Sequence, residues 1–177
     1  FASELLEQAQ NLAQEQGITG LTFLPADATR LETCHLLNDK LFDGVLFMFN
    51  GLMQIPVREN RRAALRGLHR LCRPGGHIIY TTHDRGDPKD LKEWAREAEL
   101  WARGEQNPRL VEFGDRYFTD HNGNTFMHLP DRREVLEDMA ATGWTHVEDA
   151  TRNELASETP KVRNFSDNCR FWVARRG

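Results

Sequence analysis

The chain has 177 residues, 39% of them apolar and 28% charged, with a formal net charge of −4 at pH 7. That is room for one domain with a sizeable core, and not for two comfortable ones. The acidic balance argues against a general binder of nucleic acid or of membrane surfaces, and no apolar run approaches the ~20 residues that span a bilayer.

Residues 4–16, "ELLEQAQNLAQEQ", place Leu5, Ala9, Leu12 and Ala13 on one helical face, with Ser3 as N-cap and Gly17 as the stop. "GLTFLPADA" (20–28) reads as a short strand over residues 21–24 ending near Asp27. Residues 29–40 are mixed and polar, which suits a turn or short helix. "FDGVLFMF" (42–49) is apolar on both faces, the pattern of a central parallel strand covered by helices on both sides. It stops at Asn50-Gly51.

The stretch 58–72 is helical, with Leu65, Leu68, Leu71 and Cys72 inward, and "RPGG" (73–76) breaks it. "HIIYTTH" (77–83) is a β-branched strand. Residues 88–103 form a charged amphipathic helix carrying Trp94 and Trp101. "RYFTDHNGNTFMHL" (116–129) reads as a hairpin turning at Asn122-Gly123. Asp131-x-x-Glu134 starts a helix that ends at Gly143. "WTHVEDAT" (144–151) and "CRFWVARR" (169–176) are two further strands.

Strands alternating with helices imply an α/β domain with a mostly parallel sheet, and such sheets bind ligands beyond the carboxyl ends of their strands. Asn50-Gly51 sits at such an end, with an amide for hydrogen bonding and a glycine for close backbone approach. "THDRG" (82–86) lies at the same edge. His83 is a candidate general base there and Arg85 a candidate fork for a substrate carboxylate or phosphate, although both residue types also occur as plain polar loop residues.

Other features bear on partners. Residues 86–128 carry Trp94, Trp101, Tyr117, Phe118 and Phe126, an aromatic set that either forms a lid excluding water from a ligand, with Tyr117 touching it, or buries itself. His121 and His128 flank the hairpin turn with no acidic or Cys partner at ligand spacing, so no metal is expected. Arg58, Arg61, Arg62, Arg66, Arg70 and Arg73 crowd one helix and its end. They suit either an RNA-binding face or a solvated one, and Glu59 and the overall negative charge favour the second. Cys34, Cys72 and Cys169 form no Cys-x-x-Cys pair, which points to free thiols and a cytoplasmic setting.

Taken in order, "FLPADATRL" (23–31), "FDGVLFMFNGLMQI" (42–55) and "ALRGLHRLCRPGGHIIYTT" (64–82), with the closing "GWTHVEDAT" and "CRFWVARR", resemble the class I S-adenosylmethionine-dependent methyltransferases. The resemblance covers nearly the whole chain apart from the 86–128 insertion. It implies a Rossmann-like methyltransferase sheet, mostly parallel with a C-terminal antiparallel strand. It also implies S-adenosylmethionine as cofactor and methyl transfer to an oxygen or nitrogen of a small molecule.

By that resemblance Asp27 would receive the adenine amine, the backbone of Ala28 would meet the adenine ring, and Phe49 and Asn50 would line the cofactor. Asp43 would lie at the opposite end of its strand. The family's glycine-rich turn after its first strand, and the acidic residue after its second, have no counterpart here. The chain therefore reads as a single partial methyltransferase domain lacking the first two strands, with an insertion or lid at 86–128. The family's sheet order is 3-2-1-4-5-7-6, so the strand at 21–24 would stand without its neighbour and would expose its edge. A domain-swapped or partner-completed sheet, and with it a homodimer, is the alternative. A non-catalytic partner subunit and an RNA methyltransferase are the rival functions.

Overall fold

The structure, a computed structural model, describes residues 3–120, 123–165 and 167–177. Among the described residues, six helices and six strands follow one another as α1 (Ser3–Glu15), β1 (Phe42–Phe47), α2 (Arg58–Leu71), β2 (Cys72–Thr82), α3 (Leu91–Arg103), β3 (Asp115–Asp120), β4 (Gly123–His128), α4 (Arg132–Ala141), β5 (Trp144–Thr151), α5 (Arg152–Leu155), α6 (Pro160–Phe165) and β6 (Arg170–Arg176). Short 3-10 turns occupy Ala28–Thr33, His35–Leu37 and Gly51–Gln54.

The main sheet has the order β1-β2-β6-β5. β1 and β2 are parallel, and β6 is antiparallel to both of its neighbours. Three strands thus run one way and the C-terminal strand runs against them, as the resemblance implies. β3 and β4 form a separate hairpin, with Tyr117 opposite Phe126. Its expected turn at Asn122, and His121, lie outside the described residues.

α2 stops where expected, but "RPGG" does not separate the helix from a later strand. β2 begins at Cys72, directly after α2, and the four residues form an irregularity inside it, between the pairs Phe42–Cys72 and Gly44–His77. A Cβ on Gly76 would lie 2.7 Å from the Asp43 carbonyl oxygen, so only glycine lets β2 pass β1 there. Asp131 caps α4, its carboxylate accepting from the Glu134 N–H at 2.8 Å.

The core joins Ala64 and Leu65 of α2, Val135 and Met139 of α4, and the inward sheet residues Ile78, Tyr80, Trp144, Trp172 and Ala174. Trp144 donates its indole N–H to the Leu65 carbonyl at 3.1 Å, tying β5 to α2.

The first third of the chain departs from expectation. Residues 21–27 form no strand, because a strand exists only through a neighbour's ladder of hydrogen bonds. β1 is an edge strand and not a central one. Val45 and Phe47 pack on the core, while Leu46 is 68% exposed. On α1 only Ala13 is buried, and Leu5 and Leu12 face outward.

Candidate active site

Two parallel strands end side by side, and their last residues meet. After β1 the chain turns through two consecutive left-handed residues, Phe49 (φ 57°) and Asn50 (φ 55°). Asparagine tolerates this region, but a bulky aromatic residue rarely does, and such strain concentrates at functional sites. Phe49 gains no packing from the turn, since it is 91% exposed. A strand geometry would have put Phe49 on the same face as Phe47; the left-handed turn cancels that relation.

Gly51 follows, and a Cβ there would stand 2.9 Å from the Phe47 ring. The glycine therefore lets that ring pack beneath the turn. The Asn50 N–H donates to Thr81 Oγ1 at 2.9 Å, and Asn50 Nδ2 lies 3.1 Å from His83 Nε2. An amide N–H donates, so Nε2 accepts, and the ring proton of neutral His83 sits on Nδ1.

Burial holds the His83 pKa below its ordinary value; nearby Asp167 and Asp90 oppose this and Lys89 reinforces it. The imidazole is therefore neutral at pH 7, with a lone pair at the carboxyl edge of the sheet. The Asn50 Oδ1 is buried without a hydrogen-bond partner, an acceptor left open at this junction.

Asp27 stands at the head of the Ala28–Thr33 turn. One carboxylate oxygen accepts from the Thr29 N–H and hydroxyl at 2.9 and 2.7 Å, and the other from Arg30 Nε at 3.1 Å. Its pKa is lowered, first by the Thr29 hydroxyl, then by the Thr29 N–H. Of about four acceptor positions on a carboxylate, three are taken and one remains for a ligand amine. Ala28 packs on the same apolar cluster as Leu52 and Met53, the residues just past Asn50-Gly51. A free carboxylate position at Asp27, an unpartnered amide oxygen at Asn50 and an exposed ring at Phe49 are groups of the kind that a nucleoside's amine, hydroxyls and base face use.

The other sequence candidates fare differently. Arg85 does not offer its fork to a cleft. Nη1 donates to the carbonyl of Leu129 at 2.6 Å, Nη2 pairs with Asp131 at 3.0 Å, and the guanidinium lies 4.9 Å from the Phe113 ring centre. Its carboxylate- and carbonyl-binding capacity is spent inside the protein. Tyr117 sits on the hairpin, edge-on to Phe126, with Arg109 4.3 Å above its ring. It lines a cavity of about 230 Å³ with Glu97, Leu100 and Arg116, away from His83.

The arginine helix is also largely consumed. Arg58 and Arg62 pair with Asp138, Arg61 with Glu112, Arg66 with Glu59 and Arg73 with Asp43.

Sequence spacing gave His128 no acidic partner, but the fold supplies several. His128 is 1% exposed; its Nδ1 lies 2.8 Å from Asp115 Oδ1 and its Nε2 2.7 Å from Glu134 Oε1. Glu112, Asp115 and His128 present ligand atoms within 4.8 Å of one another. Arg61 fills the charge role a cation would take, donating to Glu112 at 2.7 Å. This knot fastens the hairpin and the preceding loop to α2 and α4. No local motif announces it, because its members come from four separate segments.

Residues 1–76 match the family model described as a methyltransferase domain. No curated protein matches the chain. Among solved structures, a S-adenosylmethionine-dependent methyltransferase from Methanosarcina mazei is 15% identical, with 98% of this chain and 78% of that one covered and a TM-score of 0.69. A S-adenosylmethionine-dependent methyltransferase from Clostridium acetobutylicum is 9% identical, with 99% and 72% covered and a TM-score of 0.65. The 1,6-didemethyltoxoflavin-N1-methyltransferase of Burkholderia thailandensis, solved with 1,6-didemethyltoxoflavin and S-adenosylhomocysteine bound, is 16% identical, with 96% and 56% covered and a TM-score of 0.57. Sheet order and these solved structures agree on the fold, which is that of the S-adenosylmethionine-dependent methyltransferases, and the first 76 residues match the methyltransferase-domain model.

Proposed function

We propose that this domain takes part in methyl transfer from S-adenosylmethionine to an oxygen or nitrogen of a small molecule, in the cytoplasm. The observation that carries the reading is the junction of Asn50, Thr81 and His83 where the two parallel strands end. Asp27 and the Ala28 backbone would hold the adenine, and Phe49 and Asn50 would line the remainder of the nucleoside. Bound there, the cofactor supplies a methyl group on a sulfonium, a good leaving group, so the protein's task is alignment and removal of one proton.

His83 suits the second task. Its Nε2 lone pair faces the edge where an acceptor would stand, and burial keeps the ring neutral at physiological pH. An acceptor O–H or N–H would replace the Asn50 amide at Nε2, which frees that amide to orient the acceptor. In this reading the 86–128 segment covers the acceptor site, and the domain is one unit completed by further cofactor-binding residues. The in-chain pairing of five of the crowded arginines supports a small acceptor over RNA.

The test is calorimetry with S-adenosylhomocysteine on the complete protein, followed by turnover of His83→Ala. The reading expects binding that weakens in Asn50→Ala, and a turnover loss of about a hundredfold or more in His83→Ala with affinity little changed. Absence of binding to the wild-type protein refutes it.

A further inference from the structure

His83 has a second nitrogen, and what faces it belongs to no part of the nucleoside cradle. Nδ1 lies 3.8 Å from Asp167 Oδ2, on the segment between α6 and β6. The other oxygen of that carboxylate, Oδ1, pairs with Lys89 Nζ at 3.0 Å, just before α3. A distance of 3.8 Å is too long for a hydrogen bond, yet it is well within the range where a carboxylate biases an imidazole.

We propose that Asp167, held by Lys89, is a positioning residue that keeps the His83 proton on Nδ1 and leaves Nε2 unprotonated, ready to take a proton from the acceptor once this displaces the Asn50 amide. The inference rests on the reading of His83 as the proton acceptor. Asn50, itself held by Thr81, and Asp167 then flank the ring from both sides. Asn50 marks the nitrogen that accepts, and Asp167 the nitrogen that keeps its hydrogen. In the step itself the acceptor's O–H or N–H bond breaks, its electron pair stays on the acceptor, and the proton bonds to Nε2. The imidazolium so formed has Nδ1–H toward Asp167, and it later loses the Nε2 proton to solvent.

Lys89 acts against Asp167. Its ammonium neutralises part of the carboxylate's field and so restrains the basicity that the carboxylate would otherwise confer on the ring. The charged groups facing His83 are Asp167 near β6 and Lys89 and Asp90 ahead of α3; Asn50 faces it as a neutral amide. Removing Asp167 and removing Lys89 must therefore move His83 in opposite directions, a signature that mere loss of packing would not give.

The experiment is long-range proton–nitrogen NMR of the His83 ring in the wild-type protein, Asp167→Asn and Lys89→Gln, titrated at low and high salt. Wild type is expected to show the Nδ1–H tautomer. Asp167→Asn should lower the titration midpoint and mix the tautomers, and Lys89→Gln should raise the midpoint. Both displacements should shrink in salt, because the pair is half-exposed. An unchanged midpoint and tautomer in Asp167→Asn, or displacement of both variants in the same direction, overturns the proposal. This readout needs no turnover, so failure of S-adenosylhomocysteine to bind would refute the methyl-transfer reading separately. In turnover, Asp167→Asn should lower kcat about tenfold with KM little changed; a change in KM alone would also overturn the positioning role.

Discussion

Arg85 Nη1 occupies the place where a side chain at Gly114 would begin: a Cβ there would lie 2.5 Å from it. The Leu129 carbonyl oxygen would be 2.7 Å away, and Gly114 itself has φ +115°, a conformation that side chains rarely adopt. Gly114→Ala is therefore expected to lose about 2 kcal/mol or more of stability, through backbone strain and displacement of the guanidinium. Urea denaturation measures it. A loss under ~0.5 kcal/mol would mean that Arg85 is not held as described.

His128 predicts a pH dependence. Burial by itself would lower its pKa, but hydrogen bonds to Asp115 and Glu134 outweigh this and raise it. A histidine with a raised folded-state pKa contributes stability that is complete below the unfolded value of about 6.5 and fades as pH rises through the folded value. Asp115 and Glu134 are likewise buried, which would raise them, yet their bonds to His128 leave both lowered. Their contribution is present above the ordinary carboxylate range and is lost in acid. Denaturation midpoints should thus decline on the alkaline side of pH 6.5, and His128→Gln should abolish that decline. A slope retained in the variant would place its origin elsewhere.

Two arginines of α2 should differ sharply. Arg61 is 1% exposed and donates to Glu112, with Glu134 at 3.5 Å. Arg61→Met leaves two part-buried carboxylates short of their buried cation and should cost about 3 kcal/mol. Arg66 pairs with Glu59 on the surface, so Arg66→Met should change stability by no more than ~0.5 kcal/mol. Thermal melts of the two variants make the comparison, and equal losses would contradict the distinction.

Phe49 separates stability from binding. Its ring is exposed and its backbone left-handed, so Phe49→Gly removes strain of about 1 kcal/mol while adding unfolded-state freedom of similar size. The variant should be as stable as wild type or slightly more so. If the ring covers part of the cofactor, affinity for S-adenosylhomocysteine should fall several-fold. Unchanged affinity would remove Phe49 from the cofactor reading.

The legible parts of this protein are those with local causes. The capping residues Asp131 and Glu134 announced α4, β-branched runs announced β2, and glycine marked the end of α1. The end-of-strand rule brought Asn50 and His83 to one edge, and they do meet. What failed depended on distant chain. "VLFMF" is apolar on both faces whether or not a neighbour covers it, so the edge position of β1 could not be read from it. Residues 21–24 carry strand-like chemistry but lack a ladder partner. The chemistry that suits arginine to a substrate carboxylate or phosphate suits it equally to Asp131 and the Leu129 carbonyl, where Arg85 donates. Asp167 meets His83 only because β6 returns beside β2.

That return shapes how the molecule can assemble. β5 precedes β6 in the chain, yet its ladder is made with β6, which in turn needs β2. During synthesis β1 and β2 can pair early, whereas β5 must wait as an unzipped segment until residues 170–176 emerge. This interval is where a chaperone would find its grip, and a deletion confined to those seven residues should unfasten β5 while β1 and β2 remain paired.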